Sequence, residues 1–269
     1  MSYRKILAPL TGGARDACAM ETAVAAAGPF NGRIEALFVR PNPADAMPAY
    51  GEAISGVIAQ EMVDAARDAV AKGEEAARKV FEEHAQGVEA EFRVVDGAFP
   101  DAVAQAARLA DLVVFGAVRE AGKAGVSDAF ETTLLNSGRP VLLRGATPVA
   151  EFARRIAIAW DGSSASVHAM LCAMPFLRRA ENVEVLVVQP QAQEECAAVK
   201  SYLAIHGVAA EARALDPGSR GVGEVLLEAA KQSGLLVMGG YGHGRIRLFG
   251  TPVTKYVVGN AAMPLLLMH

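Results

Sequence analysis

The chain has 269 residues, 52% of them hydrophobic and only 6% aromatic, enough apolar material for one or two cores in which small-residue helices approach a sheet closely. A formal charge of −4 without a dense Lys/Arg block argues against a phosphate-backbone partner such as nucleic acid. Cys18, Cys172 and Cys196 lack metal-ligand spacing, and no apolar run reaches the roughly 18 residues of a membrane span, so a reducing, cytoplasmic setting is expected.

From the amino terminus, Lys5 to Leu10 is a short apolar run cut by Pro9. It is too short for a signal-peptide core and reads as a buried strand that turns at Thr11-Gly12-Gly13. Between Pro41 and His84, the apolar residues Ile54, Val57, Ile58, Met62, Ala65, Ala69 and Val70 follow helical spacing. Glu74–Arg78 and Glu75–Lys79 are spaced i,i+4, as on a solvated helix face. The stretch reads as a lengthened cover helix after the second strand, with a lid or partner-binding arm as the alternative. Asp111 to Gly116 and Gly138 to Leu143 are further strand-like runs.

These landmarks recur in the same order. Arg4-Lys5-Ile6-Leu7-Ala8 lines up with Arg154-Arg155-Ile156-Ala157-Ile158, and Ala19-Met20 with Ala169-Met170. Asp111 to Gly116 matches Gly234 to Gly239, and Gly138 to Leu143 matches Ala262 to Leu267. A unit written twice is the simplest account. The offset falls from 150 to about 124, so the first copy carries about 26 more residues, those around Pro41 to His84. In the second copy, strands are expected at Ile156 to Ala159, Val183 to Val188, Ala209 to Ala214, Leu235 to Met238 and Leu265 to Met268. Helical patterns at Ser166 to Arg179, Glu194 to His206 and Gly223 to Gln232 separate them. Buried runs alternating with helices predict two tandem α/β domains, residues 1–148 and 153–269, each a doubly wound five-stranded parallel sheet. Ligands are expected at the carboxyl ends of the strands.

Asp161-Gly162-Ser163 follows the first strand of the second copy. A carboxylate there can accept hydrogen bonds from a base or ribose. Equally, Asp161, Ser163 and Ser164 are good helix caps ahead of the Ser166 run. Leu235 to Met238 then breaks into Gly239-Gly240-Tyr241-Gly242-His243-Gly244, with Gly250-Thr251 beyond, as where a strand hands over to an anion-cradling loop. Trp160 and Tyr241 could stack on a base, with core packing the usual place for Trp160. His243 is a candidate phosphate contact or acid, or else an exposed loop histidine. Arg245 and Arg247 add positive charge beside a phosphate or stand in solvent. Thr11 to Asp16 is similar to the S-G-G-x-D-S loop of ATP pyrophosphatases, but Asp16 comes one place late. No G-x-x-x-x-G-K-[ST] loop exists, which excludes a P-loop NTPase. No triad or metal cluster assembles from the sequence, so no catalytic residue is assigned.

Both copies resemble universal stress protein domains. Ile156 to Ser163, Leu235 to His243 and Met263-Pro264-Leu265-Leu266-Leu267 carry the resemblance, which spans nearly the whole chain as a tandem pair and is best in residues 153–269. It implies an adenine-nucleotide alpha-hydrolase-like fold with strand order 3-2-1-4-5 and pairing of domains along the last strand. In some members it implies ATP bound without rapid turnover. There the acidic residue after strand one contacts the adenosine, and backbone amides of a G-x-x-G, nine further residues and G-[ST] hold the phosphates. Carried over, the implied site for ATP or AMP comprises Trp160, Asp161 and Gly162, Val187 or Val188, Met238, Gly239, Gly242, Gly244, Gly250 and Thr251. Only seven residues separate Gly242 from Gly250, and Pro252 lacks an amide N–H, so fewer phosphates are expected. In the first copy Thr11 stands where Asp161 does, and Ala117 to Gly125 lacks the glycine spacing. That copy is expected to be a structural partner in an intramolecular pseudo-dimer, with a homodimer left open. The implied role is regulatory or protective under stress; the alternative is a nucleotide-free module binding a protein or a small apolar ligand.

Overall fold

The computed structural model describes residues 2–43, 56–118, 125–145, 149–188, 192–240 and 252–269. The first half runs β1 (Lys5–Leu10), α1 (Asp16–Ala27), β2 (Arg33–Arg40), α2 (Gly56–His84), β3 (Ala90–Asp96), α3 (Phe99–Ala107), β4 (Leu112–Phe115), α4 (Val126–Asn136) and β5 (Val141–Leu143). The second half repeats it as β6 (Arg155–Trp160), α5 (Ser164–Leu177), β7 (Asn182–Val187), α6 (Ala192–Ile205), β8 (Glu211–Ala214), α7 (Val222–Ala229), β9 (Leu235–Gly239), α8 (Pro252–Asn260) and β10 (Leu265–Met268).

The strands lie in the order β3-β2-β1-β4-β5-β10-β9-β6-β7-β8, so each half has the order 3-2-1-4-5, with its strands parallel. The halves meet where β5 pairs antiparallel with β10, Leu142 opposite Leu266, making one ten-stranded sheet. Successive side chains point to opposite faces. Ile6, Ala8 and Leu10 enter one core and Leu7 the other; Ile156 and Ile158 are opposed in the same way by Ala157 and Ala159. Helices α1, α2, α5 and α6 cover the first face, and α3, α4, α7 and α8 the second. Burial on both faces is why these strands read as nearly unbroken apolar runs. Buried Ala19, Ala23, Ala26 and Ala27 give α1 a small-residue face that can lie close to the sheet.

The repeat extends to charge. In the first half Glu35 of β2, 2% exposed, lies between Lys5 Nζ at 2.7 Å and Arg93 at 3.0 Å, one cation from each flanking strand. In the second half Glu184 accepts from Arg213 Nε at 2.8 Å, and Arg155 occupies the register position of Lys5. At the amino ends of the strands an aromatic group ties the halves together. Tyr3 lies 4.7 Å from Phe176, centroid to centroid, Phe152 lies 5.3 Å from the same ring, and the Tyr3 hydroxyl donates to the carbonyl of Cys172. Burial pushes the Tyr3 phenol well above its usual range, so it stays a donor.

The helix expected between Pro41 and His84 is α2, 29 residues long, or about 43 Å. It packs on α1 and β2 through buried Ala77, while Val57 and Ile58 are 70% and 51% exposed. The carboxyl-terminal part is therefore a cover helix. Arg78 reaches Glu74 at 3.2 Å, as its spacing predicts, and Arg40 of β2 reaches the same carboxylate at 2.6 Å. Ile54 lies outside the described residues. Among the described residues no helix is long and apolar enough to cross a membrane.

Candidate functional site

In the second half the strand order reverses between β6 and β9, because the chain leaves β6 toward β7 and returns to β9 on the other side. The crevice outside the carboxyl ends at such a switch point is where open α/β sheets hold ligands. A cavity of about 340 Å³ lies there, toward the lower end of small-molecule pockets. Trp160 ends β6 and Asp161 follows it at the cavity edge, Val188 follows β7, and Met238 and Gly239 close β9. Leu226 of α7 and Thr254 of α8 complete the wall.

Asp161 supports the cap of α5 and is not itself the capping residue. Its Oδ1 accepts hydrogen bonds from the Ser163 amide at 3.0 Å and the Ser163 hydroxyl at 2.6 Å. Ser163 Oγ in turn accepts the Ser166 amide at 3.2 Å and caps α5. The carboxylate thus organises the helix start while standing exposed on the cavity edge. Gly162 makes the turn with φ of +73°, a conformation that costs other residues about 1–2 kcal/mol. The Trp160 indole N–H donates to Glu195 of α6 at 2.9 Å, which fixes the ring beside the cavity.

Of the two valines, Val188 lines the cavity, whereas Val187 is fully buried in the core on the other face of the sheet. Met238 is buried beneath the crevice. Gly239 has a packing role: a Cβ there would stand 2.7 Å from the Ser166 amide nitrogen and 2.9 Å from Ala165 Cβ. Its missing side chain seats the first turn of α5 against β9. Gly116 at the matching place in the first half accommodates the Arg15 carbonyl in the same way. Gly242, Gly244, Gly250 and Thr251, with Tyr241, His243, Arg245 and Arg247, lie outside the described residues. Pro252 is the first residue of α8, where its fixed φ suits a helix start.

Sequence reasoning did not single out Glu195, Leu226 or the wall role of Thr254. Leu226 falls on the apolar face of its expected helix, a signal that it points inward but not toward which end of the sheet. Glu195 meets Trp160 across 35 positions of chain, and no local pattern marks such a pair.

The first half is built differently at the same place. The buried carboxylate of Asp16 accepts the Thr11 amide at 3.0 Å and the Gly12 amide at 2.7 Å, so the turn is held from inside by a residue five positions later. Gly12, with φ of +70°, lies directly beneath Gly73 of α2; a Cβ on Gly12 would fall on the Gly73 carbonyl. Where Gly162 faces open space, Gly12 is covered by a helix.

A doubly wound sheet written twice, with a crevice at a switch point in its second half, defines a tandem α/β protein. The chain belongs to the universal stress protein family, whose model matches residues 2–142. The match falls on the half with the looser motifs, and the better-preserved motifs of 153–269 lie beyond it. The structure is similar to that of a universal stress protein from Archaeoglobus fulgidus, at 15% identity and a TM-score of 0.66, covering 100% of this chain and 99% of that one. Two Pseudomonas aeruginosa structures, a candidate universal stress protein and a protein of unknown function, each cover 99% of this chain with a TM-score of 0.59. Their identities are 14% and 16%, over 93% and 92% of their own lengths. These likenesses show a shared fold. No curated protein matches the chain.

Proposed function

We propose that the chain is a regulatory or protective protein of the stress response. In this reading its second domain, residues 153–269, holds ATP or AMP without fast turnover. The first domain, residues 1–148, is the structural partner, in a cytoplasmic protein. The observation that carries this reading is the cavity at the β6/β9 switch point, with apolar walls from Trp160 and Val188 and a carboxylate, Asp161, on its edge. Apolar walls suit the faces of a base, and a carboxylate accepts hydrogen bonds from ribose hydroxyls. Regulation would follow from a difference in nucleotide affinity between two conformations.

Trp160 is the single tryptophan and lines the cavity, so its emission reports occupancy directly. Titration with ATP and with AMP is expected to give a saturable change. Asp161→Ala should weaken it about tenfold or more, or about 1.4 kcal/mol. Asp161→Asn, which keeps a capping side chain, separates loss of charge from loss of the turn. No response at millimolar ATP or AMP, together with no nucleotide released on denaturation, would sink the proposal.

The use of Asp161 in the turn that leads into the Ser163 cap and of Gly239 in packing favours a second reading, a nucleotide-free module that binds a protein or a small apolar ligand at the same place. Trp160 emission would then answer to an apolar ligand and stay silent to both nucleotides.

A further inference from the structure

The charged group on β1, β2 and β3 recurs on β6, β7 and β8, where it is arranged differently. Strand register sets Arg155 against Lys5, Glu184 against Glu35 and Arg213 against Arg93. In the first half both cations touch the buried Glu35 carboxylate. In the second half only Arg213 reaches Glu184, whose side chain is 27% exposed. Arg155 makes no ion pair among the described residues. The offset that sets Asp111 against Gly234 also sets Gly97 against Arg220, so the second half gains a further cation. It too makes no ion pair among the described residues.

Both arginines line one cavity of about 800 Å³, between α7 and the side of the sheet formed by β6, β7 and β8. That volume suits a small molecule. The three carboxylates in its lining are already matched, Glu181 by Arg154 at 2.9 Å, Glu184 by Arg213 at 2.8 Å and Glu228 by Lys231. Lys231 holds the Glu228 carboxyl below its usual range, and Arg220 adds to the effect from farther away, so its charge is felt inside the cavity. Arg220 stands two residues before α7, whereas the Arg155 carbonyl accepts the amide of Gly234, beyond the other end of that helix. Eight residues of helix span about 12 Å, so the two arginines enter the cavity from opposite ends. Two guanidinium forks spaced in this way fit two separate carboxylates better than one compact anion. Leu215 and Val225 give a short carbon chain an apolar wall between them, and Asn182, Gln232 and Ser233 offer neutral hydrogen-bonding groups for a hydroxyl.

We propose that this cavity binds a short dicarboxylate with a hydroxyl group on its chain, of which malate is the simplest case, one carboxylate on Arg155 and the other on Arg220. The site belongs to the second half alone and shares no lining residue with the cavity at Asp161.

The test is calorimetric titration of the full chain with L-malate, in a buffer free of phosphate and carboxylates. Lactate, which is malate without one carboxylate, serves for comparison, and inorganic phosphate and ATP serve as competitors. Modification of arginines by phenylglyoxal is followed in parallel by peptide mapping, with Arg108, an exposed arginine of the first half, as the reference. Malate is expected to bind saturably and lactate about tenfold more weakly or less. Malate should slow modification of Arg155 and Arg220 but not of Arg108. Arg155→Gln and Arg220→Gln should each weaken malate about tenfold. Lys79→Gln, the same change in charge on α2, should leave it unchanged. Both cavity arginines are exposed, so an unchanged circular dichroism spectrum is expected in each variant. No saturable heat at millimolar malate would overturn the proposal, as would lactate binding equally well. So would inorganic phosphate displacing malate at equal concentration, since the patch would then take any anion. Equal protection of Arg108, or malate affinity that survives in both arginine variants, would overturn it as well. Displacement of malate by ATP, with malate binding lost in Asp161→Ala, would place malate at Asp161, overturning this site while leaving the nucleotide reading intact.

Discussion

Glu35 shows how a charge is kept inside this sheet. Burial alone would raise its carboxyl pKa, but hydrogen bonds and charge from Lys5 and Arg93 outweigh burial and hold it below the ordinary carboxylate range. A carboxyl depressed in the folded state stabilises fully above its unfolded pKa of about 4.3, and the contribution is lost as pH falls through the lower folded value. Glu35→Gln should therefore destabilise the protein at pH 7 by about 1–3 kcal/mol. The cost stays below that of breaking a fully buried pair, since Lys5 and Arg93 keep 38% and 52% of their side chains in contact with solvent. Urea unfolding at pH 7 and pH 3.5 checks this: the gap between variant and parent should narrow in acid, and an equal gap at both would refute it. At this scale the sequence is legible where the physics is local. The Asp161 turn spans two residues and follows from residue type, whereas the Trp160–Glu195 bond depends on where α6 lies. Gly239 is the mixed case. A glycine after a buried strand suits close helix packing as well as a phosphate loop, and only the position of Ala165 and Ser166 identifies its packing role.

Among the elements, α2 rests on a contact between two glycines that are not equivalent. Gly73→Ala would place its new methyl 3.5 Å from the Phe38 ring, an ordinary contact, so the gain in helix propensity should dominate, by about 0.5–1 kcal/mol. Gly12→Ala meets both a left-handed backbone and the Gly73 carbonyl, and should cost at least about 1–2 kcal/mol while unseating α2 from the turn. Thermal melts of the two variants should move in opposite directions; a parallel shift would show that α2 is not seated on Gly12. The strands β6, β9 and β10 were legible because burial on both faces leaves an unbroken apolar run. Strand β8 was faint because its four residues alternate between exposed and half-buried at the sheet edge. Helix α5 starts at Ser164 rather than at Ser166, since the cap falls on Ser163.

Across the whole molecule, each of the two cores draws residues from both halves, and the aromatic group around Phe176 crosses the same boundary. Unfolding of one half would strip the other of part of its interior, so a single transition is expected. Emission from Trp160 reports the second half and far-UV circular dichroism reports both. Their urea curves should coincide, and separated midpoints would show that the halves unfold independently. The duplication could be seen in four pairs of matching segments, and the strand order came with the family resemblance. Pairing of the domains along the last strand came with the resemblance too, and the structure makes it antiparallel, β5 with β10. That pairing has one more consequence. In an assembly of identical subunits about a twofold axis, every site occurs an even number of times. Here the halves are unlike and covalently joined, so dilution cannot part them and neither can be traded for a copy from another molecule. The Gly162 turn, which faces open space, and the Gly12 turn, which α2 covers, are therefore held at one of each per chain, a stoichiometry no symmetric pair can reach.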